Sequence, residues 1–140
     1  MRHHSWLTAA AKYRKAKHAK NTGPPKLHVE PETLEMFMAS AEGAAACKLL
    51  AESEEKICLG FAEVRCYRVE VMLDGEGLKE GAGDINGNIL SCRKIDAERA
   101  FELLDDFPIK NVLGRREHQR NLLLHICHAL DRIADMAPKC

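Results

Sequence analysis

The sequence predicts a mainly α-helical fold, a small helical bundle that follows a basic amphipathic N-terminal arm. Apolar residues recur at helical spacing in several segments, which favours helices. Aromatic residues make up only 5% of the chain, so the core must be aliphatic. A third observation, the distribution of charge, separates the arm from the rest. At 140 residues the chain has room for one domain and such an arm. We therefore expect an arm at 1–29 and a single globular helical domain at 30–140.

The charged residues divide the chain in two. Residues 1–29 contain seven Lys/Arg and no Asp or Glu, and the first acid is Glu30. The remaining 111 residues hold 14 Lys/Arg and 21 Asp/Glu, so a body of charge −7 follows an arm of charge +7, with His neutral. Such asymmetry is typical of an arm that binds a partner.

The arm itself predicts a short amphipathic helix. Ser5 can cap a helix that runs to about Lys20, and Asn21–Pro25 is a helix-breaking cluster. Trp6, Tyr13 and several alanines share one face, and lysines occupy much of the rest. The candidate partner-binding residues are the cations and aromatic side chains of this helix and its start: Arg2, Trp6, Lys12, Tyr13, Arg14, Lys15, Lys17 and Lys20.

The first helix of the body is predicted from Glu30–Pro31, because proline suits the first turn and acids suit the helix N-terminus. Its apolar stripe continues to about residue 52, and a break near Ser53–Glu55 is expected to precede a second helix. The stripe consists of Leu34, Phe37, Met38, Ala41, Ala45 and Leu49.

Residues 57–73 fit two periods. Helical spacing describes the segment to about Cys66, whereas Tyr67, Val69, Val71 and Leu73 alternate as in a strand. We predict helix throughout, and the alternative is an α+β fold with one short hairpin near 67–73 and 89–95. The five glycines between Asp74 and Asn88 predict a loop.

Two further helices close the chain. Asp96 is expected to cap a helix to about Asp105, before Phe107–Pro108. The last helix is predicted from about Arg115 to Met136. Its near-heptad apolar stripe should form the centre of the core: Leu123, Ile126, Cys127, Leu130, Ile133, Ala134 and Ala137.

The motifs that suggest chemistry are incomplete. The glycine-rich segment has neither the dinucleotide-binding fingerprint nor a phosphate-binding loop. Asp84, Asn86 and Asn88 have the spacing that opens a calcium loop, but Ile89 and Ile95 stand where glycine and glutamate are required. A turn with an asparagine in left-handed geometry is therefore favoured. His125 and His128 could share a metal, yet no paired Cys or His spacing accompanies them. We therefore expect no cofactor, no metal and no catalytic residues.

The six cysteines are best interpreted as free thiols in a reducing compartment, because none is in a C-x-x-C pair and most lie in apolar sequence. No stretch approaches the length of a membrane span and the N-terminus has no secretory apolar core, so an intracellular location is expected. An acid-poor basic helix is also typical of organelle targeting, which leaves cytoplasm and mitochondrion both open.

These observations predict a non-catalytic accessory or adaptor subunit of a larger intracellular assembly, whose partners are protein subunits bound by the arm. The alternative is a nucleic-acid-binding protein, in which the same arm contacts phosphates and Trp6 or Tyr13 stacks on bases. Arg115, Arg116 and Arg120 offer a small basic patch on the body for that purpose. A small enzyme is the third hypothesis.

Overall fold

The computed structural model describes residues 30–136, which form an α+β fold. Four antiparallel strands are flanked in sequence by two helices on each side. The helices are α1 (Leu34–Ala39), α2 (Ala41–Ser53), α3 (Ala97–Asp106) and α4 (Gln119–Met136). The strands are β1 (Ile57–Val64), β2 (Tyr67–Asp74), β3 (Gly77–Asp84) and β4 (Ile89–Lys94). The prediction of a mainly α-helical bundle is therefore wrong, and the α+β alternative is closer but has too few strands.

The first predicted helix is divided in two at Ser40. Thr33 caps α1, and its hydroxyl oxygen accepts from the backbone N–H of Met36 at 3.1 Å. Ser40 adopts extended backbone angles and caps α2, where its hydroxyl accepts from the N–H of Gly43 at 3.1 Å. A side chain at Gly43 would overlap the carbonyl of Phe37, so this glycine lets the two helices turn closely.

Residues 57–74 form a hairpin instead of the predicted helix. Strands β1 and β2 pair from Ile57 with Leu73 to Val64 with Tyr67. Arg65 takes a left-handed conformation in the turn between them, with φ of 57°. The apolar residues fit both periods, and the strand form is the one that buries Val71 and Leu73 in the core and leaves Arg68 and Glu70 on the opposite face.

The predicted glycine loop contains a strand. β3 pairs with β2 along its full length, from Tyr67 with Asp84 to Asp74 with Gly77. The expected strand near residues 89–95 exists as β4, but it pairs with β3 and not with residues 67–73. The sheet is thus a meander of order β1-β2-β3-β4, and β1 and β4 are its edges.

The two later helices follow the prediction closely. Asp96 caps α3, with its carboxylate accepting from the N–H of Arg99 at 2.8 Å. Helix α4 starts at Gln119, four residues after its predicted start, and a short 3-10 helix at Arg116–His118 precedes it. A second 3-10 helix lies at Ile109–Asn111.

The core lies between the four helices and one face of the sheet. The predicted centre of the core in α4 is confirmed for Leu123, Ile126 and Leu130, whose side chains are fully buried. Ile133 is only partly buried. The sheet contributes Ile57, Leu59, Val71, Leu73 and Leu78 to the same core. The opposite face of the sheet, here called the outer face, carries no helix among the described residues.

Candidate functional site

The outer face of the sheet holds a cavity of about 320 Å³. Cross-strand partners share a face of a sheet, so the register places Cys58 beside Met72 and Glu70 beside Gly81 on this side. The cavity lies between this surface and the turn that joins β3 to β4. It is the first candidate for a binding site in the described domain.

Two glycines of β3 form the floor of the cavity. A side chain at Gly81 would meet the Cε methyl of Met72 at 2.8 Å, and one at Gly83 would overlap the carbonyl of Asn88. Glycine therefore lets Met72 lie flat across the sheet and lets the β3–β4 turn fold close. The same glycines made the segment look like a loop in the sequence.

The charged groups at the cavity wall have partners within the domain. Lys56 donates to Glu70 at 2.7 Å, and the guanidinium of Arg68 lies 3.8 Å from the centre of the Phe61 ring. Burial opposes ionisation of Glu70, yet hydrogen bonds from Lys56 and Cys58 hold the pKa of its carboxyl below the usual value. These side chains stabilise one another across β1 and β2.

Three described cysteines have thiol pKa values above the usual value, which makes them poor nucleophiles. Burial, and then the neighbouring Glu70 carboxylate, raises the pKa of the Cys58 thiol. Burial also raises the pKa of Cys47, and it raises the pKa of Cys127 to about 12. A thiol needs a lowered pKa to attack as a thiolate at neutral pH, so these three are protonated there.

The segment Asp84–Asn88 is a turn, as the sequence favoured. The Asp84 carboxylate accepts from the N–H groups of Asn86 and Asn88 at 2.9 Å, and from the side-chain amide of Asn88 at 2.8 Å. The Asn88 amide, followed by these backbone bonds, lowers the pKa of Asp84. The residue in left-handed geometry is Gly87, with φ of 93°, and not an asparagine. The carboxylate thus holds the turn together.

A second cavity, of about 430 Å³, lies between β1 and α4. His125 and His128 line it together with Lys56 and Arg132, and both histidines are exposed. Cys127, between them in sequence, points to the core and is 1% exposed. Within residues 30–136 no group of three or more His, Cys, Asp or Glu side chains is placed to hold a metal ion.

The basic patch suggested by the sequence is engaged inside the fold. Arg115 donates to the carbonyls of Asp105 and Phe107 at 3.0 and 2.8 Å. Arg116 pairs with Glu98 at 3.1 Å and with Asp105 at 3.4 Å. Arg120 donates to the carbonyl of Pro31 at 3.2 Å. These arginines hold the domain together, and the structure does not gather them as a free cationic surface.

The predicted partner-binding residues lie outside the described residues. Arg2, Trp6, Lys12, Tyr13 and the other four predicted residues all precede Glu30, where the described chain begins. The structure therefore neither brings them together nor separates them, and their role stays a prediction.

Sequence reasoning offered β4 as a strand only in its alternative and did not predict that the strand is exposed. All six residues of β4 are exposed, and no strand of the described domain pairs with its outer side. Large apolar side chains cluster at its start and in the preceding turn, where Ile85, Ile89 and Leu90 are each about 60% exposed. The sequence signal was the apolar pair Ile89–Leu90 directly after a polar turn, but the sequence does not reveal which side of a strand stays unpaired.

The described part of the molecule thus belongs to the class of α+β domains built on an antiparallel four-stranded sheet with helices on one face. No helix within it has the length and apolar character needed to cross a membrane. Comparisons with family models, curated proteins and solved structures find no match to this chain.

Proposed function

We propose that this protein is a non-catalytic accessory or adaptor subunit of a larger intracellular assembly, attached through its basic arm at residues 1–29. The observation that carries the proposal is the division of charge, with seven cations and no acids in the arm against 14 cations and 21 acids in the body. Seven cations without an acid give the arm a field of a single sign, which favours binding to an acidic partner surface.

The described domain supports a binding role in preference to catalysis. The charged groups at the outer-face cavity have partners within the domain, as Lys56 has in Glu70. The thiols of Cys47, Cys58 and Cys127 have raised pKa values, which leaves them protonated and unreactive at neutral pH. A domain of this kind can hold and space an arm without carrying out a reaction.

The domain also favours a protein partner over nucleic acid. Arg115 and Arg116 are used within the fold, so the cations of the arm have no extension on this part of the body. Nucleic acid remains the second candidate, because Trp6 and Tyr13 among seven cations could stack on bases. All five described cysteines are free, which supports our placement of the protein in a reducing compartment.

A pull-down with the full chain tests the proposal. We expect Lys12→Glu with Lys15→Glu to reduce recovery of the partner by at least about tenfold, since each reversal weakens attraction to an acidic surface. The matched control is Lys48→Glu with Lys110→Glu, which makes the same charge change at two exposed positions of the body. Equal recovery with both double variants would contradict attachment through the arm.

The same experiment separates the two kinds of partner. Nuclease treatment before capture should leave a protein partner bound. If the partner is nucleic acid, nuclease should release it, and the logarithm of affinity should fall with that of salt concentration with a slope of roughly −4 to −6 for duplex DNA.

A further inference from the structure

The cavity between β1 and α4 combines an apolar floor with a basic rim. Its volume of about 430 Å³ lies in the range of roughly 300–1,000 Å³ that is usual for small-molecule sites. The floor consists of apolar side chains that belong to the core or pack against it: Ile57, Leu113, Ala129 and Ile133. The rim consists of basic side chains from the residue before β1 and from the exposed side of α4: Lys56, His125, His128 and Arg132. Such a composition suits a molecule with an apolar part and an anionic part.

One face of α4 provides both parts of the cavity. His125, His128 and Arg132 stand at positions i, i+3 and i+7, so they lie on the same side of the helix. Ala129 and Ile133 each follow one of them in sequence and lie closer to the core, where Ala129 is 9% exposed and Ile133 is partly buried. The helix therefore sets a row of basic groups beside a row of apolar groups along the cavity.

Two of the basic groups have no role in holding the domain together. In the described part of the chain, the side chains of His125 and Arg132 form no hydrogen bond and no ion pair. Lys56 donates to Glu70, but its ammonium group has three hydrogens and keeps donors for a further partner. Among the described residues of the lining, Glu55 is the single acid against four basic side chains. The free donors and the balance of charge both favour an anion.

We propose that this cavity binds a small organic anion, in which a carboxylate or a phosphate is joined to an apolar body. Arg132 is the main donor to the anionic group, because a guanidinium presents parallel N–H groups that match the oxygens of carboxylate and phosphate alike. His125 and Lys56 add donors at the same rim. The apolar body lies against Ile57 and Ile133, which removes it from water. The site belongs to the domain and does not depend on what the arm binds.

Isothermal titration calorimetry of the full chain with octanoate, octyl phosphate and octanol tests the proposal. The first two probes carry the two kinds of anionic group, and octanol has the same apolar chain without the charge. We expect at least one anion to bind saturably and at least about tenfold more tightly than octanol, because only the anion engages a charged donor. The preference between octanoate and octyl phosphate identifies the anionic group as carboxylate or phosphate.

Removal of a charge at the rim tests the position of the site. Arg132→Gln should weaken binding of the preferred anion by at least about tenfold, because it removes the main charged donor. Arg65→Gln is the matched control, since it makes the same change in the turn at the far end of β1. This control should bind the anion as the wild type does.

Addition of an acid at the rim is a second, independent test. Met136 lines the cavity and is 76% exposed, so Met136→Glu introduces a negative charge without emptying the core. Repulsion should weaken binding of the anion by about threefold and leave binding of octanol unchanged. Met36→Glu, at a position of α1 that is 51% exposed, is the matched control and should change neither.

Thermal unfolding of each variant verifies that it is folded. Anions that bind no more tightly than octanol would overturn the proposal, and so would equal binding by Arg132→Gln and Arg65→Gln. The arm also carries cations, so the double variant Lys12→Glu with Lys15→Glu is titrated in parallel and should bind as the wild type does. Loss of binding in that variant with full binding in Arg132→Gln would place the anion on the arm and overturn its assignment to the cavity.

Discussion

The two edge strands of the sheet carry the same irregularity in opposite surroundings. In β1 the register shifts between Cys58 and Gly60, and in β4 the partner register shifts at Leu90. Each shift leaves one leucine outside the regular cross-strand pairing, Leu59 in β1 and Leu90 in β4. Leu59 is fully buried beneath the loop that follows α3, whereas Leu90 is 61% exposed. A leucine at a bulge can therefore anchor a core or present a surface, and what lies across the edge decides which.

The largest expected effect compares these two leucines directly. Leu59→Ala should lower the free energy of unfolding by about 2–5 kcal/mol, because it empties a fully buried position. Leu90→Ala should cost less than about 0.5 kcal/mol in dilute protein, as at other surface sites. Urea denaturation of both variants measures the difference. Equal losses in the free energy of unfolding would show that Leu59 and Leu90 do not differ in burial as described.

The next effect concerns how tightly the β1 edge is covered. A side chain at Gly60 would lie 2.5 Å from the Cδ2 atom of Leu104 and 2.8 Å from the Cγ1 atom of Val112. Gly60→Val should therefore push the covering loop away and destabilise the domain by about 1–3 kcal/mol, as overpacking does.

Gly81→Ala is the control for that substitution. Its new methyl group would overlap only the flexible end of Met72 on the outer face, and it would reach the Ser91 carbonyl oxygen at an ordinary 3.7 Å, so we expect a change near zero in the same denaturation experiment. A Gly60→Val variant as stable as Gly81→Ala would mean that the covering loop is loosely held.

A smaller effect should follow from releasing the loop at its other end. Arg115 follows the covering segment directly and binds it to the end of α3 through the carbonyls of Asp105 and Phe107. Arg115→Met should cost about 1–2 kcal/mol, because two carbonyl groups lose a charged donor. Arg132→Met, at an exposed position of α4, is the control, and thermal unfolding should separate the two variants.

The pH dependence of stability tests the polar link beside the open edge. The hydrogen bond from Arg99, opposed by burial and supported by Arg93, lowers the pKa of Glu80 from 4.5. The folded state therefore favours the carboxylate, so this stabilisation is present above the unfolded pKa and is lost as the pH falls through the lower folded value. Glu80→Gln should cost about 1 kcal/mol near neutral pH and flatten the loss of stability in acid.

Exposed Glu117 provides the control for the acid titration, since Glu117→Gln should leave the profile of the wild type unchanged. If the Glu80→Gln and wild-type profiles remain parallel down to acid pH, then Glu80 does not link β3 to β4 and α3 as its contacts indicate.

The last prediction is that removal of metal ions does not change the stability of the protein. The core is built from aliphatic side chains, and the sequence predicts no metal or cofactor, so a chelator should leave the thermal unfolding of the full chain unchanged. Stoichiometric zinc or iron that is removed only with unfolding would contradict this prediction and direct attention to His125 and His128.

Sequence reasoning succeeded where the signal was local. The cap at Asp96, the buried face of α4 and the turn at Asp84–Asn88 each depend on neighbours within a few residues, and the structure confirms them. It failed for β1 to β3, because most of their hydrogen bonds connect residues more than one helical turn apart, as far as Tyr67 with Asp84. Glycines at 77, 81 and 83 indicated a loop, yet paired strands on both sides hold β3 in place.

The sequence by itself determined the division of charge, the aliphatic character of the core and the start of α3 at its Asp96 cap, because composition and capping act over a few residues. Only the tertiary structure decided the number of strands, their order and the exposure of β4. A segment that fits two periods takes its form from the partners it finds, and the free side of an edge strand is defined by what the rest of the chain leaves uncovered.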